Sequence, residues 1–119
     1  MNKKVRLLVI IPARYKSKQL KNKNIRLINN HPLVAYSIEA AKNIKERSKI
    51  IHLSTDSKKI IDISKKYHQI NNDLRPKKLA EDDSLDIDFL NYTLQFYNKK
   101  TILFRYCIIL RPTNPVRNK

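Results

Sequence analysis

Val5 to Ile11 is a near-continuous apolar run that ends abruptly at Pro12. A run this short and this uniformly apolar reads as a strand buried on both faces, which happens chiefly in parallel sheets covered by helices on each side. The rest of the chain supplies the partners such a strand needs. Pro32 suits the first turn of a helix reaching about Glu46, with Leu33, Ala40, Ala41 and Ile44 on one face and Val34 and Ile38 beside it. Ile50–Leu53 reads as a second strand. A second helix follows, capped by Asp56 or Ser57, with Ile60, Ile63 and Tyr67 as its buried stripe. A short third strand is expected near Ile70–Leu74. A third helix carries Leu85, Phe89, Tyr92 and Phe96 along one side, and Phe104–Leu110 reads as a fourth, apolar strand. The order β-α-β-α-β-α-β predicts an α/β fold, a parallel sheet with helices on both faces.

In such sheets ligands bind outside the carboxyl ends of the strands. Three polar segments leave those ends, Pro12–Asn24, Ser54-Thr55-Asp56 and Arg111–Pro115, and the Arg75–Ser84 loop is expected nearby. The first is the most unusual. It holds Arg14, Lys16, Lys18, Lys21 and Lys23 within eleven residues, 14–24, with Ser17, Asn22 and Asn24 between them. Arginine grips phosphate oxygens in pairs and lysine supplies a mobile point charge, so the segment suits a polyphosphate. Phosphate loops normally use glycine to bring backbone amides close, yet this chain contains none. By composition alone, a basic surface loop without a ligand fits equally well.

Formal net charge is +16, from 26 basic and 10 acidic residues. The chain is rich in Lys, Asn and Ile, residues with AT-rich codons, and its cations are spread along its whole length, so the charge reads chiefly as compositional bias. Nucleic acid is not the expected partner. The 119 residues suit one small domain, and no apolar run approaches the roughly 20 residues of a membrane span. The Met-Asn-Lys-Lys start reads as the lead into a strand rather than a signal peptide. The single cysteine, Cys107, lies in an apolar run and is expected to be buried; no disulfide is implied, and a cytoplasmic protein is expected. His31, His52 and His68 have no metal-ligand spacing.

Five blocks together make the reading specific. "VIIPARYKSKQLKNKNI" resembles the opening signature of the acylneuraminate cytidylyltransferase family, with Arg14, Ser17, Lys18, Leu20, Lys23 and Asn24 in register. "NNHPLVAYSIEAA", "IIHLSTDSKKIIDISKKY", "LRPKKLAEDDS" and "LRPTNPVR" resemble that family's later blocks in the same order. The resemblance implies a Rossmann-like nucleotidyltransferase fold and the transfer of CMP from CTP to a nonulosonic sugar acid, with release of pyrophosphate and use of Mg²⁺. It implies that Arg14, Ser17, Lys18 and Lys23 hold the triphosphate, with Arg14, Lys18 and Lys23 stabilising charge during transfer. Asn24 and Arg75 match nucleotide-contacting positions, and Ala80, Asp82 and Ser84 lie in the loop lining the cytidine pocket. Arg111, Thr113 and Asn114 fall in the loop facing the sugar. Asp83 reads as a helix cap instead. For Asp56, a turn residue and a site residue remain equal readings.

The sequence also departs from the family pattern. Tyr15, Lys16, Asn22 and Asn30 stand where glycines are usual; Asn22 is the best substitute, because asparagine tolerates left-handed backbone better than other residues. Arg111 replaces the glutamine common in sialic-acid enzymes and tilts the expected substrate toward a legionaminate-like acid. Tyr15 instead matches relatives acting on an eight-carbon sugar acid of lipopolysaccharide. The family's domain continues well past the R-P-T-N-P loop, so residues 1–119 read as one partial domain, truncated at the C-terminus: a fragment, half of a split gene or a decayed copy. The family's metal-binding aspartates, much of its sugar pocket and its homodimerisation segment are expected to fall outside these residues. A sheet cut there should expose apolar surface where further strands would pair.

Overall fold

The computed structural model describes residues 3–13, 27–28, 31–66, 71–74 and 86–111. Among these described residues, six strands and three helices follow in the order β1 (Lys3–Pro12), β2 (Leu27–Ile28), β3 (His31–Pro32), α1 (Leu33–Lys42), β4 (Lys49–Thr55), α2 (Lys58–Lys65), β5 (Asn71–Leu74), α3 (Asp86–Asn98) and β6 (Ile102–Ile109). Four of the strands form a parallel sheet in the order β5-β4-β1-β6, and β2 and β3 make a small antiparallel ladder ahead of α1. The expected alternation is therefore present. Pro32 ends β3 immediately before α1 instead of opening the helix.

The strand order explains the layers. From β1 the chain steps outward to β4 and β5, then returns across to β6 on the other side of β1. Crossovers between parallel strands keep one hand, so reversing direction sends the connecting helix to the opposite face. Accordingly α1 and α2 bury Val34, Ile38, Ala41, Ile60 and Ile61 against Leu7, Val9 and Ile11, while α3 packs Phe89 and Tyr97 against Leu8 and Ile10. Leu8, Val9, Ile10 and Ile11 have no solvent exposure, as expected of a strand covered on both faces.

Several boundaries and faces differ from the sequence expectation. Helix α1 ends at Lys42, four residues short of Glu46, because Lys49 folds back and its Nζ donates to the carbonyls of Lys42 and Ile44 at 3.2 and 2.5 Å. Glu46, freed from the helix, pairs with Arg6 at 2.5 Å. The buried face of α1 is Val34, Ala35, Ser37, Ile38 and Ala41, and Ala40 is exposed. Helix α2 buries Ile60, Ile61 and Ser64; Ile63 is half-buried, and Tyr67 lies outside the described residues. Helix α3 buries Phe89, Thr93 and Tyr97, with Tyr92 and Phe96 half-buried beside them, so the stripe runs at a spacing of four. Leu85 lies outside the described residues.

Cys107 is exposed rather than buried, because β6 forms the edge of the sheet. Its partial cover still pushes the thiol above its usual range by desolvation. The absence of glycine shows at the α3–β6 turn. Thr101 takes φ 60°, a left-handed conformation that a β-branched residue adopts at a cost of about 1–2 kcal/mol. It is held there by N–H donation to the Asn98 carbonyl at 2.9 Å and by the Lys3 N–H, which donates to its carbonyl at 2.8 Å.

Candidate functional site

The register sets the carboxyl ends of the four parallel strands side by side. Pro12 of β1 lies opposite Ser54 of β4, and Thr55 lies opposite Leu74 of β5. Across the other edge of β1, Ile10 lies opposite Ile109, and the Leu110 N–H donates to the Ile10 carbonyl at 2.8 Å. Ala13, fully buried, anchors the exit of β1 by donating its N–H to the Ser54 carbonyl at 2.9 Å. Ala13, the last described residue before position 14, therefore lies between the ends of β4 and β6. This is where the strand order reverses direction, and open α/β sheets place ligands in that crevice.

Arg111, exposed, follows directly from this edge. The remaining sequence-derived candidates lie outside the described residues: Arg14, Ser17, Lys18, Lys23 and Asn24 between β1 and β2, Arg75, Ala80, Asp82 and Ser84 between β5 and α3, and Thr113 and Asn114 beyond β6. Their described chain neighbours Ala13, Leu74 and Arg111 all stand at the carboxyl edge.

Between these exits the Ser54-Thr55-Asp56 turn is built locally. Ser57 caps α2 in extended backbone (φ −125°, ψ 118°), its Oγ accepting from the Ile60 N–H at 3.3 Å. Its own N–H donates to Thr55 Oγ1 at 3.1 Å. The cap is thus Ser57, and Asp56 occupies the bend as a half-buried carboxylate. The Ser54 hydroxyl is fully buried and has no hydrogen-bond partner among the described residues.

Sequence reasoning missed the most polar part of the core. His52 is fully buried, its Nδ1 2.5 Å from the Tyr97 hydroxyl, in a hydrogen bond whose direction follows the imidazole tautomer. Tyr97 also meets the rings of Phe96 and Phe104 edge-on, with centroids 5.1 and 5.3 Å away. The signal was a histidine inside an apolar strand, which needs a buried partner; the partner is 45 residues on and invisible to any local pattern. Among the described residues no three His, Cys, Asp or Glu side chains gather into a group that could hold a metal.

The family described as cytidylyltransferase matches residues 8–108. This chain belongs to the cytidylyltransferase family. A CMP-N,N'-diacetyllegionaminic acid synthase of Legionella pneumophila is 37% identical over 113 residues, covering 95% of this chain and 48% of that protein. An N-acylneuraminate cytidylyltransferase of Escherichia coli is 35% identical over 115 residues, covering 97% of this chain and 26% of the relative. Among solved structures, a CMP:2-keto-3-deoxy-manno-octonic acid synthetase complexed with CTP shares the fold, with a TM-score of 0.62 at 16% identity over 84% of this chain and 40% of that one. The chain thus spans about half the length of the Legionella relative, or less in the other two comparisons. No described helix is long and apolar enough to cross a membrane.

Proposed function

We propose that this cytidylyltransferase-family chain supplies the CTP-binding half of an enzyme that transfers CMP from CTP to a nonulosonic sugar acid. The observation that supports the reading is the place of Ala13: the last described residue before the basic signature lies at the carboxyl end of β1, bonded to Ser54, at the reversal point of the sheet. Residues 14–24 resemble the family's opening signature in register. On this reading residues 1–119 act as one partial nucleotidyltransferase domain in the cytoplasm.

Arg14, Lys18 and Lys23 neutralise the triphosphate, with Ser17 and Asn24 adding hydrogen bonds. Arg75, Ala80, Asp82 and Ser84 border the cytidine. Arg111, Thr113 and Asn114 face the sugar acid. The sugar's anomeric hydroxyl oxygen attacks the α-phosphorus of CTP. A new P–O bond forms as the hydroxyl gives its proton to solvent, the bond from that phosphorus to the bridging oxygen breaks, and pyrophosphate leaves with the charge the basic residues stabilise. Mg²⁺ belongs to this reading by resemblance. Among the described residues no three His, Cys, Asp or Glu side chains gather where such an ion could bind. The legionaminic relative and Arg111 both favour a legionaminate-like acid; the eight-carbon acid is the second reading, supported by Tyr15.

Titration calorimetry of the purified chain with CTP, UTP and ATP tests the proposal. Saturable but weak binding that prefers CTP is expected, with little or no turnover by this chain alone. Lys18→Ala or Lys23→Ala should weaken CTP binding by about tenfold or more, since each removes a charge-assisted contact worth about 1.5–3 kcal/mol. Absence of saturable CTP binding, or variants that bind like the parent, overturns the reading. Robust CMP-sugar formation by the 119-residue chain overturns the half-site assignment.

A further inference from the structure

Strand β4 closes on four fully buried residues, His52, Leu53, Ser54 and Thr55, and three of them are polar. Burying a polar side chain is costly unless it is hydrogen-bonded. Two of the three meet that demand. His52 Nδ1 bonds the Tyr97 hydroxyl, and Thr55 Oγ1 accepts from the Ser57 N–H at 3.1 Å. The Ser54 backbone is engaged as well, its carbonyl accepting from the Ala13 N–H at 2.9 Å. The Ser54 hydroxyl is the exception: among the described residues it is the one buried side-chain oxygen or nitrogen with no hydrogen-bond partner.

Its place narrows the explanation. Alternate residues of a strand share a face, so Ser54 lies on the side of the sheet where His52 meets the Phe96 and Tyr97 rings of α3. It stands two residues nearer the carboxyl end, opposite Pro12 of β1 and Asp73 of β5. The unmatched group is therefore at the edge where an open α/β sheet receives its ligand. Packing does not call for it, since alanine fills nearly the same space without an unmet donor and acceptor. The surroundings also limit what it can meet. Pro12 and Ala13 are buried and apolar, and Asp56, two residues on, is a half-buried carboxylate. A phosphate there would meet a like charge, whereas an uncharged group with a donor or acceptor suits the position.

We propose that the Ser54 hydroxyl is a hydrogen-bonding contact for the nucleoside part of the nucleotide, ribose or base, rather than for its phosphates. The inference rests on the CTP-binding reading above and adds a residue to it. The hydroxyl costs stability until the nucleoside meets it and contributes affinity once it does, so its removal has effects of opposite sign on the two.

The test compares Ser54→Ala with the parent 119-residue chain, in thermal melts without nucleotide and in calorimetric titrations with CTP, UTP and inorganic tripolyphosphate. Without nucleotide, Ser54→Ala should melt at the parent's temperature or higher. CTP binding should weaken about fivefold, the loss of one neutral hydrogen bond, while tripolyphosphate binding stays within about twofold of the parent's. An equal loss for UTP puts the contact on the ribose, and a loss for CTP alone puts it on the base; both support the proposal. A lower melting temperature means that the protein itself holds the hydroxyl, and overturns it. Unchanged CTP binding, or equal weakening toward tripolyphosphate, overturns it too. A parent that binds no CTP brings down the CTP reading and this inference together; a parent and variant that bind CTP alike bring down this inference only.

Discussion

Strands β1 and β6 lie side by side and read almost alike in the sequence, yet they experience different solvents. Leu8, Val9, Ile10 and Ile11 of β1 are sealed between α1 and α2 on one face and α3 on the other, while Leu103, Tyr106 and Ile108 of β6 are 39–53% exposed. An apolar run announces a strand. Whether it is buried depends on what flanks it, and β6 has a strand on one edge alone among the described residues.

The sharpest way to break this contrast is a pair of truncations. Leu8→Ala should cost about 3–5 kcal/mol, through lost transfer energy and a cavity at a site with no exposure. Ile108→Ala should cost less than about 1 kcal/mol, because much of its side chain already meets water. Urea midpoints at unchanged slope measure both, and equal losses would erase the distinction between the strands.

A smaller effect of opposite sign is expected where α3 turns into β6. Thr101→Gly relieves the left-handed strain at φ 60° but adds freedom to the unfolded chain, for a net gain of about 1 kcal/mol. Thermal melts read it, and a loss of stability would show that the Thr101 side chain fixes the start of β6.

The smallest effect belongs to Arg6–Glu46, which ties β1 to the loop before β4. The Arg6 side chain, and then the Ser48 N–H, hold the Glu46 carboxyl below its usual range. A depressed carboxylate stabilises the fold above its unfolded-state value and loses that contribution as pH falls through the folded value. Because the pair is largely exposed, Glu46→Gln should shift the melting temperature barely beyond replicate scatter at pH 7, with no difference from the parent in acid below the carboxylate range. A clear shift that persists in acid would mean Glu46 acts through packing instead.

Much of the fold was legible because its cues are local. The apolar run of β1 follows from its pattern, and a cap at Asp56 or Ser57, found at Ser57, follows from side-chain chemistry. The misplaced features depend on distant residues. Helix α1 stops at Lys42, where Lys49 of the next strand donates to the Lys42 carbonyl and to that of Ile44 just beyond the helix. Tyr97 lies in the core, packed with Leu8, Ile10 and Phe89 and hydrogen-bonded to His52, 45 residues away. For the candidate site, five motif blocks carried the residue identities, while the sheet register contributed the shared edge from which their segments leave.

By itself the sequence determined the order of the four parallel strands and three helices, the parallel class of that sheet and the family, because each is written in spacing and residue type; the short β2–β3 ladder was not among them. The tertiary structure alone decided that Cys107 faces out, that His52 is paired and that β6 is half bare. Burial and hydrogen bonding are set by which surfaces meet across the fold, and no window along the chain contains that information.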